Sequence, residues 1–168
     1  MLQTRPTIQI VPAKSDQVSL ILSFIRKLAD YEKLSQEVIA DEALLREYLF
    51  GARPTAEVVL AYLNGRAVGF ALFFTSFSTF VGRPGIYLED LFVEIDARGR
   101  GVGKAVLRHL AGLAVERGYG RVEWAVLDWN QPSIEFYRSL GAKPMSEWTV
   151  YRLSGEALQA LGTGDVPG

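Results

Sequence analysis

A glycine-rich segment that carries basic residues follows a strand-like stretch near the middle of the chain. The stretch 87–93 (YLEDLFV) sets two adjacent carboxylates among aromatic, leucine and valine residues, which favours a buried strand. The segment 98–104 (RGRGVGK) opens a helix whose apolar residues recur every three or four positions. Glycines let backbone N–H groups converge on an anion, a helix N-terminus adds partial positive charge, and Arg and Lys add full charges. The spacing therefore predicts an anion-binding loop.

Two common phosphate loops do not fit this segment. A P-loop requires glycine where this chain has Arg98, and a hydroxyl residue where Ala105 follows Lys104. The glycine spacing also departs from the dinucleotide pattern Gly-x-Gly-x-x-Gly. The order Arg98-x-x-Gly101-x-Gly103 instead resembles the pyrophosphate loop of the GNAT acetyltransferase superfamily, Arg/Gln-x-x-Gly-x-Gly/Ala. The alternative is a helix start that uses its glycines only to turn tightly.

A second motif lies about thirty residues further on. The segment 128–142 (DWNQPSIEFYRSLGA) resembles the second GNAT signature, in which an Asn precedes a short helix ending in Tyr-x-Lys/Arg-x-Gly. Asn130 suits the N-cap, Pro132 the first turn, and Gly141 the end of that helix. Tyr137 has a plainer alternative, namely packing between helix and sheet. The order and separation of the two motifs favour the family resemblance.

A narrower resemblance joins three parts of the sequence. Tyr31-Glu32, the segment 87–90 (YLED) and the segment 129–137 (WNQPSIEFY) together resemble the diamine (spermidine/spermine) acetyltransferase branch, over about residues 8–153. Members that use polyamines tend to carry Asp and Trp ahead of Tyr-Leu-Glu-Asp, whereas this chain has 78–80 (STF) and Arg83 there. The resemblance implies transfer of acetyl from acetyl-CoA to a small-molecule amine, diamine-like or polyamine-like, with an amino acid or lysine-like amine as the alternative acceptor.

The resemblance also implies roles for residues that contact acetyl-CoA. Backbone groups just after the acidic pair would hold the acetyl and pantetheine arm, the glycine-rich loop would hold the pyrophosphate, and the second motif would support the pantetheine. Tyr137 would protonate the leaving sulfur. In sequence order, the implied contacts are Leu91, Phe92, Val93, Arg98, Gly99, Arg100, Gly101, Val102, Gly103, Lys104, Asn130, Ser133 and Tyr137.

The acceptor side is expected to rely on a carboxylate. Glu89 and Asp90 are adjacent on a predicted strand, so they should point to opposite faces. We expect Glu89 to be the buried group that orients the ammonium and accepts its proton, with a structural ion pair as the alternative, and Asp90 to be structural. By resemblance, the amine pocket would be completed by Tyr31, Glu32, Glu123, Trp124 and Ala125.

Composition argues against several kinds of catalytic site and several classes of partner. The chain has no cysteine and one histidine, His109, so neither a zinc site nor a Cys or Ser–His nucleophile is expected, and no metal. Because no such nucleophile is expected, we expect the amine to attack acetyl-CoA directly in a ternary complex. His109 is expected to be a packing or surface residue. A net charge of −1 disfavours nucleic acid, and no long apolar run suggests a membrane span or leader. We therefore expect a cytoplasmic protein, and the family implies a homodimer.

The chain alternates predicted strands and helices in one domain, 1–168, with a loose tail at 162–168. Strands are expected at 8–11, 57–63, 67–76, 85–93, 121–127 and 147–153, and helices from Ser15 or Asp16, over 41–51, 102–117 and 131–140, and from Ser154. Asn64-Gly65 is a strong hairpin signal. The pattern predicts an α/β (mixed α+β) GNAT-like fold: a mixed, mostly antiparallel, twisted sheet with helices on both faces.

Two other classes of function are compatible with the sequence. The chain could hold CoA without catalysis, although a sensor would need neither Tyr137 nor Glu89. It could also be an interaction protein, because the segment 73–80 (FFTSFSTF) is rich in phenylalanine and could form a dimer surface or an apolar pocket wall.

Overall fold

The computed structural model describes residues 6–164. They form two compact units, and the boundary along the chain lies between Ala125 and Val126. The first unit contains one five-stranded sheet in the order β1-β2-β3-β4-β5. Its strands are β1 (Ile8–Pro12), β2 (Glu57–Leu63), β3 (Arg66–Ser78), β4 (Arg83–Val93) and β5 (Val122–Trp124), and its helices are α1 (Val18–Tyr31), α2 (Glu42–Phe50) and α3 (Val102–Glu116). Neighbouring strands are antiparallel except β4 and β5, which are parallel.

The β2–β3 hairpin forms where Asn64-Gly65 predicts it. Both residues have positive φ, 51° and 83°, which is the backbone of a two-residue turn that matches strand twist. The strand before the turn has the predicted bounds, and β3 continues two residues further than expected, to Ser78. The segment 73–80 is therefore mostly strand: Phe73 is buried, whereas Phe77 and Phe80 are exposed near the hairpin tip.

Helix α1 covers one face of the sheet. Phe24 lies 5.9 Å from Phe70 and 6.0 Å from Phe92, measured between ring centroids, so the helix packs on the centres of β3 and β4. The apolar spacing of α1 was predicted, but its start differs. A short 3-10 helix (Ser15–Gln17) precedes it, and the Gln17 side chain closes that turn by accepting a hydrogen bond from the Lys14 N–H, so neither Ser15 nor Asp16 caps α1.

Helix α3 packs against the sheet through Val102, Val106, Leu110 and Ala114, which are buried at helical spacing. Its contacts are with β1, β2, β4 and β5. Strand residues that alternate with those facing α1, such as Val59 and Leu88, are buried on this second face. The predicted mixed sheet with helices on both faces is thus confirmed. Within residues 6–164, no helix has the length and apolarity to span a bilayer.

A β-bulge interrupts β4 at Glu89. Leu88 pairs with Phe73, but Asp90, two positions later, pairs with the very next β3 residue, Leu72, so Glu89 is an extra residue in the ladder. The pairing of β4 with β5 ends at Leu88 and Trp124, directly before the bulge. This explains why β5 is shorter than the predicted 121–127, since a strand ends where its hydrogen-bonding partner turns away.

The second unit contains α4 (Gln131–Ser139) and α5 (Gly155–Thr163). The strand predicted at 147–153 is wrong: this segment has no regular structure, and its large residues, such as Trp148 and Tyr151, are exposed. β-rich composition does not form a strand without a backbone partner. Of the loose tail predicted at 162–168, Gly162 and Thr163 belong to α5, and 165–168 lie outside the described residues. The single domain stays a prediction.

Candidate functional site

The glycine-rich loop has the backbone that its sequence predicts. Gly99 and Gly101 adopt φ values of 72° and 87°, in the left-handed region that favours glycine. Gly101 is the N-cap of α3 and offers no side chain to the free N–H groups of the first turn. Arg100 and Lys104 are exposed and form no ion pair within residues 6–164. Uncapped donors beside two free cations suit a diphosphate.

Arg98 differs from the other two cations because its side chain is already engaged. Its Nε donates a hydrogen bond to the Val93 carbonyl oxygen at 2.9 Å. Its guanidinium carbon lies 4.5 Å from the centre of the Tyr31 ring and 5.8 Å from that of Phe92. The contact of Arg98 with the phosphates of CoA stays a prediction. The Arg98 side chain contacts both the end of β4 and the end of α1.

The edge of β4 beyond the bulge is open towards β5. Strand pairing on that side stops at Leu88, so backbone groups of 89–93 that point away from β3 have no partner strand there within residues 6–164. Leu91, Phe92 and Val93, the residues implied for the acetyl-CoA arm, form this stretch. Phe92 is buried against Phe24, which fixes the strand from its α1 face. An amide-containing chain could therefore pair with this edge as an extra strand does.

Carboxylates gather where the end of α1 meets β4. Burial, together with the charges of Glu89 and Glu32, raises the pKa of Asp90 to about 6. Burial also raises the pKa of Glu32. Asp90 lies on the α1 face, because it pairs with Leu72 two residues from the Phe70–Phe92 pair. The charges of Glu32 and Glu89 thus both act on the partly buried Asp90, an arrangement that suits a cationic ligand.

The expectation that Glu89 is the buried carboxylate is wrong. Glu89 is exposed, while Asp90 is partly buried and has the perturbed pKa. The bulge is the reason, since an extra residue breaks the alternation from which opposite faces were predicted. The pKa of Tyr87 is raised by burial, Glu89 and Glu123, so the Glu89 charge acts on both sides of the bulge. Its catalytic role stays a prediction.

The residues expected to form the pocket floor lie on β5 or just after it. Glu123 pairs in register with Tyr87, and Trp124 with Leu88, while Ala125 follows the strand and is exposed. Glu123 already forms an ion pair with Arg121, Nε to Oε2 at 2.7 Å. Glu123 therefore contributes less free negative charge than Glu32 or Asp90.

The second unit contains the remaining predicted residues. Asn130 is 5% exposed, and its side-chain oxygen accepts a hydrogen bond from the Ser133 N–H at 3.4 Å, which confirms it as the N-cap of α4. Gly141 follows the helix with φ of 87°, as predicted. Tyr137 is half-buried, with its ring 5.5 Å from that of Phe136.

Asp90 is a candidate functional residue, whereas the sequence predicted a purely structural role for it. Its distinguishing signal is the bulge, which neither hydrophobic pattern nor residue spacing reveals. His109 is half-buried on α3, as expected for a packing or surface residue.

The perturbed pKa of Asp90 gives a prediction about stability. A carboxyl whose pKa is higher in the folded than in the unfolded chain favours the fold while it is neutral, and that contribution is lost as the pH rises through about 6. We expect Asp90→Asn to raise the free energy of unfolding by about 2 kcal/mol at pH 8 and to change it little at pH 4. Urea unfolding at both pH values measures this. Asp16→Asn, at an exposed position, is the control, and an equal effect of Asp90→Asn at both pH values would contradict the assignment.

Comparison with known proteins is consistent with this geometry. The sequence matches the acetyltransferase (GNAT) family over residues 23–142. It is 36% identical to thialysine N-epsilon-acetyltransferase of Bos taurus, over 92% of this chain and 96% of that protein. It is 46% identical to L-ornithine N5-acetyltransferase NATA1 of Arabidopsis thaliana, over 55% of this chain and 41% of that protein. It is 29% identical to spermidine/spermine N(1)-acetyltransferase-like protein 1 of Homo sapiens, over 89% of this chain and 23% of that protein.

A solved structure shares the fold. An integron cassette protein from the mobile metagenome of V. cholerae superposes with a TM-score of 0.76 and is 29% identical, over 92% of this chain and 97% of that one. The predicted resemblance to the diamine acetyltransferase branch is confirmed by the relatives. The chain belongs to the acetyltransferase (GNAT) family and is an N-acetyltransferase.

Proposed function

We propose that this enzyme transfers the acetyl group of acetyl-CoA to the side-chain amine of a small, lysine-like amino acid, with diamines and polyamines as the other candidate acceptors. The observation that carries the proposal is the pairing of an uncapped glycine-rich loop with the acidic group of Glu32, Glu89 and Asp90 in one unit. The thialysine enzyme supports the acceptor class because its similarity extends over nearly the whole chain. Arg83, exposed at the start of β4, makes a polycation less suitable.

The glycine-rich loop fits acetyl-CoA, whose thioester supplies the activated acetyl group. The first-turn N–H groups of α3, with Arg100 and Lys104, would hold the diphosphate. The open edge of β4 at 91–93 would hold the acyl and pantetheine arm through backbone hydrogen bonds. Asn130 and Ser133 would support the pantetheine, although the Asn130 oxygen already caps α4.

The acidic group would prepare the amine for attack. An amine with a pKa near that of lysine is mostly protonated at neutral pH, so attack requires a group that accepts its proton. Glu89, exposed at the bulge, would attract and orient the ammonium. Asp90, with a pKa of about 6, is the better proton acceptor, because a general base acts best when its pKa is close to the working pH. Tyr31 and Glu32 would complete the pocket, and Tyr137 would give the departing sulfur its proton.

One experiment tests the function as a whole. Acetyl-CoA should raise the melting temperature, because a ligand at a hundred times its Kd stabilises the fold by about 2.7 kcal/mol. Release of CoA should then be measured with thialysine, lysine, ornithine, a diamine, spermidine and other free amino acids. We expect the highest kcat/KM for thialysine or another lysine-like amine. Stabilisation by NAD or ATP in place of acetyl-CoA would refute the proposal. A preference for spermidine would show that polyamines, and not lysine-like amino acids, are the acceptors.

A second experiment separates the two adjacent carboxylates. We expect Asp90→Asn to abolish the rise of kcat/KM near pH 6, since that limb reports the ionisation of the base. Glu89→Gln should keep the limb and raise the KM for the amine, because only attraction is lost. Neither change should alter the Kd of CoA. Loss of the rise of kcat/KM near pH 6 in Glu89→Gln alone would show that Glu89 is the base.

Tyr137→Phe tests the proton donor. The change removes one hydroxyl and keeps the ring, so we expect kcat to fall about a hundredfold, a typical loss for one proton-transfer group, while the Kd of CoA stays nearly the same. Phe136→Leu, which alters the neighbouring ring without touching the hydroxyl, is the control. A turnover within a small factor of wild type would make Tyr137 a packing residue and leave water as the acid.

The homodimer and the cytoplasmic location stay predictions. Phe77 and Phe80, which are 62% and 96% exposed, are the aromatic side chains of 73–80 that a second copy would reach. Sedimentation of the purified protein determines its oligomeric state.

A further inference from the structure

Arg98 lies between the two parts of the site in the first unit. It follows the short 3-10 helix Ile95–Ala97 after β4 and directly precedes Gly99, the first glycine of the loop. Its backbone is extended, with φ of −67° and ψ of 157°, so the side chain leaves the chain just before the backbone enters the left-handed region. Any movement of this side chain therefore acts on the loop from its first residue.

The Arg98 side chain turns back towards the acceptor side. Its Nε donates to the Val93 carbonyl, at the end of the β4 stretch implied for the acetyl arm. The flat guanidinium lies over the Tyr31 ring at 4.5 Å, a distance at which a cation is attracted to a ring face. Tyr31 ends α1 and precedes Glu32, whose charge acts on Asp90. One side chain thus contacts the acetyl-arm strand and the helix end beside the carboxylates.

The contacts depend on the shape of the guanidinium as well as its charge. A planar group can stack on a ring while its Nε donates in the same plane, whereas Lys has neither the plane nor the Nε–H. Arg100 and Lys104 remain available for an anion, since neither forms an ion pair within residues 6–164. A phosphate ligand at position 98 would have little need of the two contacts with Val93 and Tyr31.

We infer that Arg98 is a positioning residue that couples the two substrate sites: through Val93 and Tyr31 it makes the acetyl-CoA loop and the amine pocket adopt their binding positions together. The inference rests on the proposed function. Binding of CoA, by fixing the loop, therefore fixes Tyr31 and strengthens amine binding, and amine binding strengthens CoA binding by the same factor. Arg98 is exposed, so its contacts add little to the stability of the fold.

The test compares variants on both sides of the contact. Arg98→Lys keeps the charge but loses the plane and the Nε donor, and Tyr31→Leu removes the ring from the other side. Arg66→Lys, which changes an exposed arginine that pairs with Asp96, is the control. Calorimetry gives the Kd of CoA with and without thialysine, or spermidine if the wild type prefers it, and melting temperatures confirm that each variant folds.

We expect bound CoA to tighten amine binding about fivefold or more in the wild type and in the Arg66→Lys control. Arg98→Lys and Tyr31→Leu should each remove most of this coupling, raise the amine KM more than they lower kcat, and leave the Kd of CoA alone within about twofold of wild type, as the cation in the loop is kept. The double variant should lose no more than either single variant, because the two changes break one contact.

Several outcomes would overturn the inference. Coupling that survives in both single variants, or losses that add in the double variant, would show that the contact does not connect the sites. Weakened CoA binding in Arg98→Lys with intact amine binding would make Arg98 a phosphate ligand. If Arg98→Lys does not fold, Tyr31→Leu decides alone, because Tyr31 lies outside the loop. A wild type that neither binds CoA nor acetylates an amine would instead refute the proposed function.

Discussion

The extra residue in β4 is the constraint on which the site depends. A regular strand would pair with β5 along its whole length and would place Glu89 and Asp90 on opposite faces. The pairing with β5 ends at Leu88, directly before the bulge at Glu89, so the next backbone groups on that side have no partner strand within the described residues. The bulge also places Asp90 on the α1 face, near Glu32. One inserted residue thus creates both the open edge and the acidic group.

Charge is arranged in sequence along the segment that follows the bulge. Glu89 and Asp90 lie at its start and cations lie at its end, from Arg98 to Lys104, whereas Glu94 and Asp96 between them form ion pairs with Lys27 and Arg66. A cationic acceptor and an anionic donor carry opposite charges, so each is attracted to a different end of this segment. The apolar residues Leu91 and Phe92 separate the two ends and bring the strand across the α1 core. In the proposed function, the same short segment therefore sorts the two substrates by charge.

Local rules predicted most of the first unit, because its elements depend on neighbours in sequence. Asn64-Gly65 determines its turn through φ alone, Asp41 caps α2 through its own side chain, and Gly101 starts α3. The start of α1 was missed for a local reason, the 3-10 turn at Ser15–Gln17, whereas the other failures concern partners distant in sequence. The strand at 147–153 has suitable residues but no backbone partner, and β5 ends because β4 turns away at the bulge. The burial of Asp90 in place of Glu89 likewise depends on the ladder with β3, which no sequence period reveals.

Arg98 shows how a motif residue can have more than one use. The glycines of its loop have no side chains that could contact the acceptor, and Arg100 and Lys104 form no ion pair within residues 6–164. Arg98, the first residue of the loop, contacts Tyr31 at the end of α1. In an enzyme that brings two substrates together for direct attack, premature binding of either one gains nothing unless the other is in place. A contact that ties the loop to the amine pocket meets this requirement with one exposed side chain and little cost in stability.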